Sequence, residues 1–425
     1  MTTAPASLLR SDTPSVLSWA KRQAWGHETA AHAGTQTTHL DLALIENRAD
    51  FDALEAEWND LYERVGQSAT LFQSFNWLWH WANHFLPLRD AAHGQHLAIV
   101  TARANGRLVL IAPLAISLKR GIRRLSWMGD PVSQYGDVLA DPAIVSNEDI
   151  AATLMFALHA TRADVLCLRR VRADAAVTAA LRRLSCETTD RQMAPFLDLS
   201  NARTFDAYEQ RYTKSARKNR KRLRRRLEER GPMAIERRAC SPEAGDVAPV
   251  AIALKRAWLK EKGLVSTALA DPRTEAFFKD ALSSVDHSAG VEAAVLRSNG
   301  ETAAVEIAIT SHGRTAIHVI AYGLKFEKCG AGALLMEDSI RHAVERGVTT
   351  VDLMAPGDSY KFDWADCAVA VEDWSKARTT LGRAYTAVAL KLVRKNLKTA
   401  LMAMPLPMRR IMASLTGILP MLGLG

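Results

Sequence analysis

The sequence predicts an α+β fold of two similar units in tandem, each a mixed central sheet flanked by helices, with an Arg-rich helix connecting them. Three observations carry this. Each half holds an Asn-Gly pair between apolar runs, Asn105-Gly106 and Asn299-Gly300, the mark of a tight hairpin. In each half the hairpin strands are followed by a segment of helical period and a further short apolar strand, so the order of elements repeats. The chain has 425 residues, 48% hydrophobic and 24% charged, enough to bury two or three cores and too apolar for a disordered chain.

In chain order, residues 1–38 are rich in Ala, Thr and Ser and read as a flexible leader without a signal-peptide core. Asp41–Glu46 reads as a strand, Asp50–Val65 as an amphipathic helix and Phe72–Phe85 as an aromatic helix. Leu97–Arg103 and Leu108–Ser117 are strands about the first Asn-Gly turn, followed by short apolar pieces at Leu125–Met128 and Asp137–Leu139. Ile150–Ala160 is a helix, Val165–Leu168 a strand and Ala173–Leu184 a helix. The second half has helices over Ala248–Lys262 and Arg273–Ser284, and strands over Val291–Arg297, Thr302–Thr310 and Ala316–Tyr322. A helix ending at Arg346 and a strand over Thr350–Met354 complete it. The chain thus divides into a leader (1–38), an N-terminal unit (39–200), the Arg-rich helix (201–232), a C-terminal unit (233–378) and a basic amphipathic tail (379–425).

The net charge of +9 is concentrated. Residues 211–230 hold eleven Lys/Arg against Glu228 and Glu229, and residues 381–425 hold seven with no acid, so the remainder is acidic on balance. A general nucleic-acid-binding surface is therefore a poor account of the high pI. In the first segment Tyr208, Tyr212, Ala216, Asn219, Leu223 and Leu227 recur at helical spacing, and Gly231-Pro232 ends the helix. One reading is a solvated basic face. The other is an anionic partner (a phosphorylated substrate, RNA or anionic lipid) met by Arg217, Lys218 and Arg220, since like charges at i,i+4 cost helix stability. In the tail, Val388, Leu392, Leu397, Leu401 and Met404 line one side and Lys391, Arg394, Lys395 and Lys398 the other. That is either a terminal helix docked on the body or a helix lying in a membrane interface. Five cysteines without a CxxC pair point to a reducing compartment and away from disulfides and zinc. The longest apolar run, Leu108–Ile116, falls short of the roughly 20 residues a span needs. The expected location is cytoplasmic, with peripheral contact at the inner face of the membrane as its extension. His80 and His84 stand at i,i+4, but no third ligand is signalled, so packing rather than metal binding is expected.

The most informative stretch runs from Tyr322 to Leu335. A strand ends at Tyr322, and Gly330-Ala331-Gly332 opens the helix to Arg346. Orphan N–H groups at such a glycine-lined helix start suit a pyrophosphate. Three meandering strands, a glycine turn, a helix and a strand resemble the acyl-CoA-binding half of a GNAT acyltransferase. The Q/R-x-x-G-x-G/A motif of that superfamily reads here Glu327-Lys328-Cys329-Gly330-Ala331-Gly332, with Glu in place of Gln or Arg. The aromatic helix, Ala112-Pro113-Leu114, Tyr135-Gly136-Asp137-Val138-Leu139, the Arg-rich helix and Val351–Trp364 together resemble the CelD/BcsL-type acetyltransferases of cellulose and exopolysaccharide biosynthesis, over about residues 40–380. That family is related to the Fem-type peptidoglycan aminoacyltransferases.

The resemblance implies an acyl donor, acetyl-CoA or another acyl-CoA, held by Tyr322, Gly330, Ala331, Gly332, Ala333 and Leu334, and no metal. A backbone N–H near His318 to Tyr322 would polarise the thioester. Proton transfer would fall to Asp137, Glu306, His318 or Tyr360, with Lys361 neutralising an anionic acceptor or the CoA phosphates. Each has a plainer reading: Asp137 as a turn cap, Glu306 as the outward position of an alternating strand, Lys361 as a surface lysine. Cys329 is expected to be a buried small residue, since direct attack needs no acyl-enzyme. The implied acceptor is a saccharide or envelope precursor. The alternatives are a Fem-like aminoacyl-tRNA-dependent transferase contacting RNA, or a non-catalytic GNAT fold binding a membrane or a polysaccharide synthase.

Overall fold

Asn105 and Gly106, and likewise Asn299 and Gly300, all adopt positive φ (50° and 79°, 52° and 78°), the backbone pair that a two-residue hairpin turn demands. The computed structural model describes residues 39–67, 69–86, 94–264, 266–393, 400 and 403–415. The leader, and the tail residues Arg394, Lys395, Leu397, Lys398 and Leu401, lie outside the described residues. The described residues from Leu40 onward belong to one compact unit.

The first half contributes β1 (Asp41–Ile45), β2 (Gln95–Leu97), β3 (Ile99–Ala104), β4 (Arg107–Ala112), β5 (Leu114–Lys119), β6 (Ile122–Trp127), β7 (Leu139–Ala140), β8 (Val165–Arg172) and β9 (Glu187–Asp198). The second contributes β10 (Met233–Arg238), β11 (Val291–Ser298), β12 (Glu301–Ser311), β13 (Arg314–Tyr322), β14 (Thr350–Asp352) and β15 (Cys367–Ala377). Strands β1-β3-β4-β7 form a small sheet; the other eleven form a single sheet ordered β10-β11-β12-β13-β14-β9-β15-β8-β6-β5-β2. The sequence reading of Leu108–Ser117 as one strand is corrected here. Pro113, with no N–H for a ladder, sits at a break where the chain leaves the small sheet as β4 and enters the large one as β5.

Strands β9, β10 and β15 have no counterpart in the sequence reading, yet β9 and β15 form the middle of the large sheet. They pair antiparallel from Phe196↔Cys367 to Glu187↔Ser375. On one flank β9 pairs with β14, and on the other β15 pairs with β8. The last strand of the second half therefore sits inside the sheet of the first. The predicted basic helix also divides: Phe205–Glu209 is separate, and Thr213 accepts from the Ala216 N–H to start the helix Lys214–Glu228.

The aromatic helix Phe75–Phe85 lies against the second-half helix Pro272–Ser283, with Trp77 edge-on to Phe277 at 4.7 Å. Its two histidines do pack: the Asp280 carboxylate accepts from His80 Nδ1 and His84 Nε2, both at 3.0 Å, and His80 Nε2 donates to the His287 carbonyl at 2.8 Å. Deeper between the halves lies Asp352, fully buried on β14. Its carboxylate meets Arg172 at 3.1 Å and the Tyr135 hydroxyl at 2.8 Å from the first half, and Arg314 at 2.7 Å from the second. Asp352→Ala would leave two arginines that are almost fully buried short of their anion, and a cost of about 3–5 kcal/mol is expected. Asp174→Ala, which removes only the exposed partner of Arg172, should cost under about 1 kcal/mol by the same urea-unfolding measurement.

Candidate active site

Strand β13 pairs with β14 in parallel over only three positions, Arg314↔Thr350 to Ala316↔Asp352. Beyond them β13 runs on to Tyr322, while the segment after β14 turns away at Met354, a non-glycine residue at φ 59°. The two strands splay, and the edge Ile317–Tyr322 faces a cleft. His318 is the extra residue of a β-bulge, since Ile307 pairs with Val319 and Ala308 with Ile317. Bulges next to sites re-aim backbone groups, and here the ladder is broken where the splay begins.

Five side chains converge on this cleft. Lys361 is buried, and its Nζ donates to the Met354 and Pro356 carbonyls, both at 2.9 Å. Burial pulls its ammonium down to about 8, with Asp358 opposing and Lys255 assisting. Lys255 donates to the Ile320 carbonyl of the splayed edge at 3.1 Å, lies 4.8 Å over the Trp258 ring, and is also lowered by burial. Trp258 Nε1 donates to the Tyr322 hydroxyl at 2.9 Å. Tyr360 is 40% exposed, and its phenol is pushed up to about 12, chiefly by burial. The sequence reading missed Lys255 and Asp358. The i,i+3 pair Lys255 and Trp258 on one helix face was the available signal.

At the far end of β13, Gly330 adopts φ 65° and opens the helix Ala331–Glu345 with no side chain capping it. A Cβ on Gly330 would lie 2.6 Å from Leu223, and one on Gly332 2.9 Å from the Tyr322 ring. Glycine is required at the first by its backbone and by the basic helix packed over it. Glu327, the residue departing from the GNAT motif, is paired with Lys262 at 3.0 Å. Cys329 is buried, as expected, with its thiol toward the Arg226 carbonyl.

Of the three cations assigned to an anionic partner, Arg220 is spent within the fold. It donates to Glu337 at 2.7 Å and sits between the rings of Tyr212 and Trp364, at 4.6 and 5.1 Å. Arg224 reaches the other Glu337 oxygen at 3.1 Å. Arg217 bonds to the Gln210 side chain, and Lys218 faces solvent. The remaining candidates stand outside the cleft or serve as struts. Asp137 accepts from the N–H groups of Val138, Ala176 and Val177 at 2.8–3.0 Å, which caps the helix Val177–Arg183; burial still pushes it up to about 6. His318 lies 4.9 Å from the Phe278 ring and donates from Nε2 to the Val132 carbonyl at 2.5 Å, which leaves Nδ1 as its acceptor nitrogen. Burial lowers it to about 4, so it is neutral. Glu306 is neither outward-facing nor in the cleft: it is buried against the helix Ala331–Glu345 and accepts from the Ser339 hydroxyl at 2.7 Å.

Residues 214–362 match the acetyltransferase (GNAT) domain family. No curated protein matches the chain by sequence. Among solved structures, FemX superposes with a TM-score of 0.55 at 10% identity, over 79% of this chain and 98% of its own. A tandem GNAT protein from the clavulanic acid biosynthesis pathway gives 0.46 at 14%, over 79% and 98%. The C-terminal domain of a putative lysylphosphatidylglycerol synthetase from Agrobacterium fabrum gives 0.48 at 10%, over 79% and 95%. The fold is mixed α+β and similar to that of FemX. Among the described residues no cluster of three His, Cys, Asp or Glu could hold a metal ion.

Glu306 generates a stability prediction. Burial pushes its carboxyl from 4.5 up to about 7, against the Ser339 bond, so folding favours the protonated form. The stability this confers is full below about pH 4.5 and is lost as pH rises through 7. Glu306→Gln keeps an acceptor for Ser339 and removes the titration. Relative to wild type it should gain about 2–3 kcal/mol between about pH 5 and pH 8 in urea unfolding.

Proposed function

We propose that this protein is an acyl-CoA-dependent acyltransferase whose acceptor is an amine or hydroxyl of a sugar-containing envelope precursor or exopolysaccharide, as the CelD/BcsL resemblance implies. The observation that carries the transfer reading is Lys361 at the mouth of the splay. A neutral lysine amine has two N–H bonds and one lone pair. Here two carbonyls, Met354 and Pro356, take two hydrogens, and burial brings the group within reach of neutrality at physiological pH. Lys361 is thus a general base rather than the charge-neutralising residue of the sequence reading.

The donor end fits the co-substrate. The uncapped first turn, in which the Gly330 N–H already bonds to the Glu327 carbonyl and the Leu334 N–H to the Gly330 carbonyl, presents the N–H groups of Ala331 to Ala333 and the positive helix end to a pyrophosphate, and Lys262 answers the Glu327 charge beside it. Acyl-CoA, when bound, supplies the acyl group as a thioester. The splayed edge of β13 offers backbone N–H groups to the carbonyl oxygen as charge develops on it. Lys255 holds the Ile320 carbonyl and fixes that edge. Lys361 takes the acceptor's proton as the new C–N or C–O bond forms and the C–S bond breaks. Tyr360, which keeps its proton at neutral pH, gives it to the departing thiolate.

The acceptor's approach is supported from the first half. A cavity of about 60 Å3 lies between Arg169, Arg170, Asp190 and Gln192 and the loop Ala355–Pro356, whose carbonyl side holds Lys361. Arg170 and Met354, on either side of it, both have the left-handed backbone that costs a non-glycine residue energy (φ 58° and 59°) and that gathers at functional sites.

Calorimetric titration of acetyl-CoA is expected to give a Kd of about 1–100 µM. Gly332→Glu, which puts a carboxylate in the first turn and its Cβ against the Tyr322 ring, should weaken it at least about tenfold. If neither protein binds acetyl-CoA, the acyl-CoA reading fails and an aminoacyl-tRNA donor takes its place. Once an acceptor is in hand, Lys361→Met should lower kcat by roughly 100- to 10,000-fold and abolish the rise in rate with pH through about 8.

A further inference from the structure

Lys361 stands inside a single helical turn, Ser359–Phe362. Successive residues of a helix project about 100° apart, so with Lys361 turned into the body its two neighbours flank it on the outside. Both are aromatic. Tyr360 is 40% exposed and Phe362 38%, and no other Phe, Tyr or Trp among the described residues is exposed to that degree. The two rings most open to solvent thus stand on either side of the lysine at the cleft mouth.

Phe362 is seated rather than loose. A Cβ on Gly357 would come 2.9 Å from Phe362 Cε2 and 3.0 Å from Cζ, and 3.0 Å from the Met193 carbonyl oxygen. A side chain at 357 would push the ring away, so glycine there lets Phe362 rest by its tip on bare backbone with the remainder open. The residue before Gly357, Pro356, belongs to the wall of the cavity of about 60 Å3, which Arg170, Asp190 and Gln192 also line. One loop therefore joins an open aromatic ring to a wall of mixed hydrogen-bonding groups: a carboxylate, a carboxamide and a guanidinium. An acyl chain has nothing to offer that wall, and an anion would meet the Asp190 carboxylate in it. A ligand suited to both parts carries C–H groups on its faces and hydroxyls around its edge, which is the make-up of a pyranose ring.

We propose that Phe362 is the platform on which a pyranose ring of the acceptor stacks, presenting a hydroxyl or amine to Lys361 while its edge hydroxyls meet Asp190 and Gln192. The inference rests on the reading of Lys361 as the base of the transfer, and it makes the sugar itself, beside the reacting atom, the part of the acceptor that is recognised. Phe362 is a specificity residue; the proton chemistry stays with Lys361 and Tyr360.

The test is binding and uses no activity. Cellotetraose, maltotetraose and chitotetraose are titrated calorimetrically into the full chain, and acetyl-CoA into the same preparations. Saturable binding of at least one of these sugars is expected. Phe362→Ala and Phe362→Leu should each weaken that sugar at least about tenfold, while Phe362→Trp, which keeps a flat ring, should hold it within about threefold of wild type. Acetyl-CoA affinity should be the same in all four proteins. Absence of sugar binding overturns the proposal, as does a Leu variant that binds like wild type, since apolar bulk alone would then suffice. So does a Trp variant that loses the sugar as the Ala variant does. Acetyl-CoA affinity that falls as far as the sugar affinity overturns it too, because the ring would then serve the donor. If acetyl-CoA fails to bind the wild type while the sugar results hold, the acyl-CoA reading falls and the platform stands.

Discussion

The cleft rests on one buried carboxylate. Asp352 ends β14, and with one oxygen it accepts from both the Tyr135 hydroxyl and the Met354 N–H, the latter at 2.8 Å. The second oxygen lies against Arg172 and Arg314. The bond to Met354 fixes the left-handed residue at which the chain leaves the sheet, and the carbonyl of that same residue holds Lys361. Three residues thus connect the joint between the halves to the lysine at the cleft. A buried ion cluster of this sort adds little net stability compared with apolar packing, but it tolerates very few alternative geometries. Its value here is orientation: the loop that carries Lys361 can take its shape only when both halves are in place.

The same logic accounts for the basic helix. Its charge density seemed to call for an outside anion, and part of it is instead met from within. Arg220 and Arg224 close on the two oxygens of Glu337, one helical turn and more beyond the glycine start of the Ala331–Glu345 helix, while Leu223 fills the space over Gly330. The helix therefore braces the element that offers its N-terminus to the cleft, and its remaining exposed cations set the potential around that end. Charge counting along a sequence cannot separate the cations used for bracing from those left to the solvent, because Glu337 lies more than 100 residues away.

What could be read in the sequence were the features whose causes are local. Both hairpins follow from the Asn-Gly pairs, and the glycine helix start follows from Gly330. The packing role of His80 and His84 follows from the missing third ligand. What escaped depends on distant partners. Strand β9 begins with Glu187-Thr-Thr-Asp-Arg-Gln192, a polar run with no apolar face of its own, and becomes a strand because β15 supplies a ladder along it, β14 joining only from Phe196 to Asp198. Lys255 looked like one more helix lysine until the Ile320 carbonyl came within reach. Glu306 read as an outward strand position because its partner Ser339, which draws it inward, sits on another element.

The exchange of strands between the halves has a consequence for how the chain is made. Synthesis runs from the N-terminus, and β8 and β9 emerge long before β15, which separates them in the finished sheet. Until Ala377 has left the ribosome, both keep an open edge of unpaired N–H and C=O groups. Such edges recruit whatever strand is nearest, and on a crowded polysome the nearest is often a copy of the same nascent chain. The closing strand arrives late by necessity of its place in the gene. The polar, charge-bearing start of β9 makes one such edge less attractive to a stray strand while it waits.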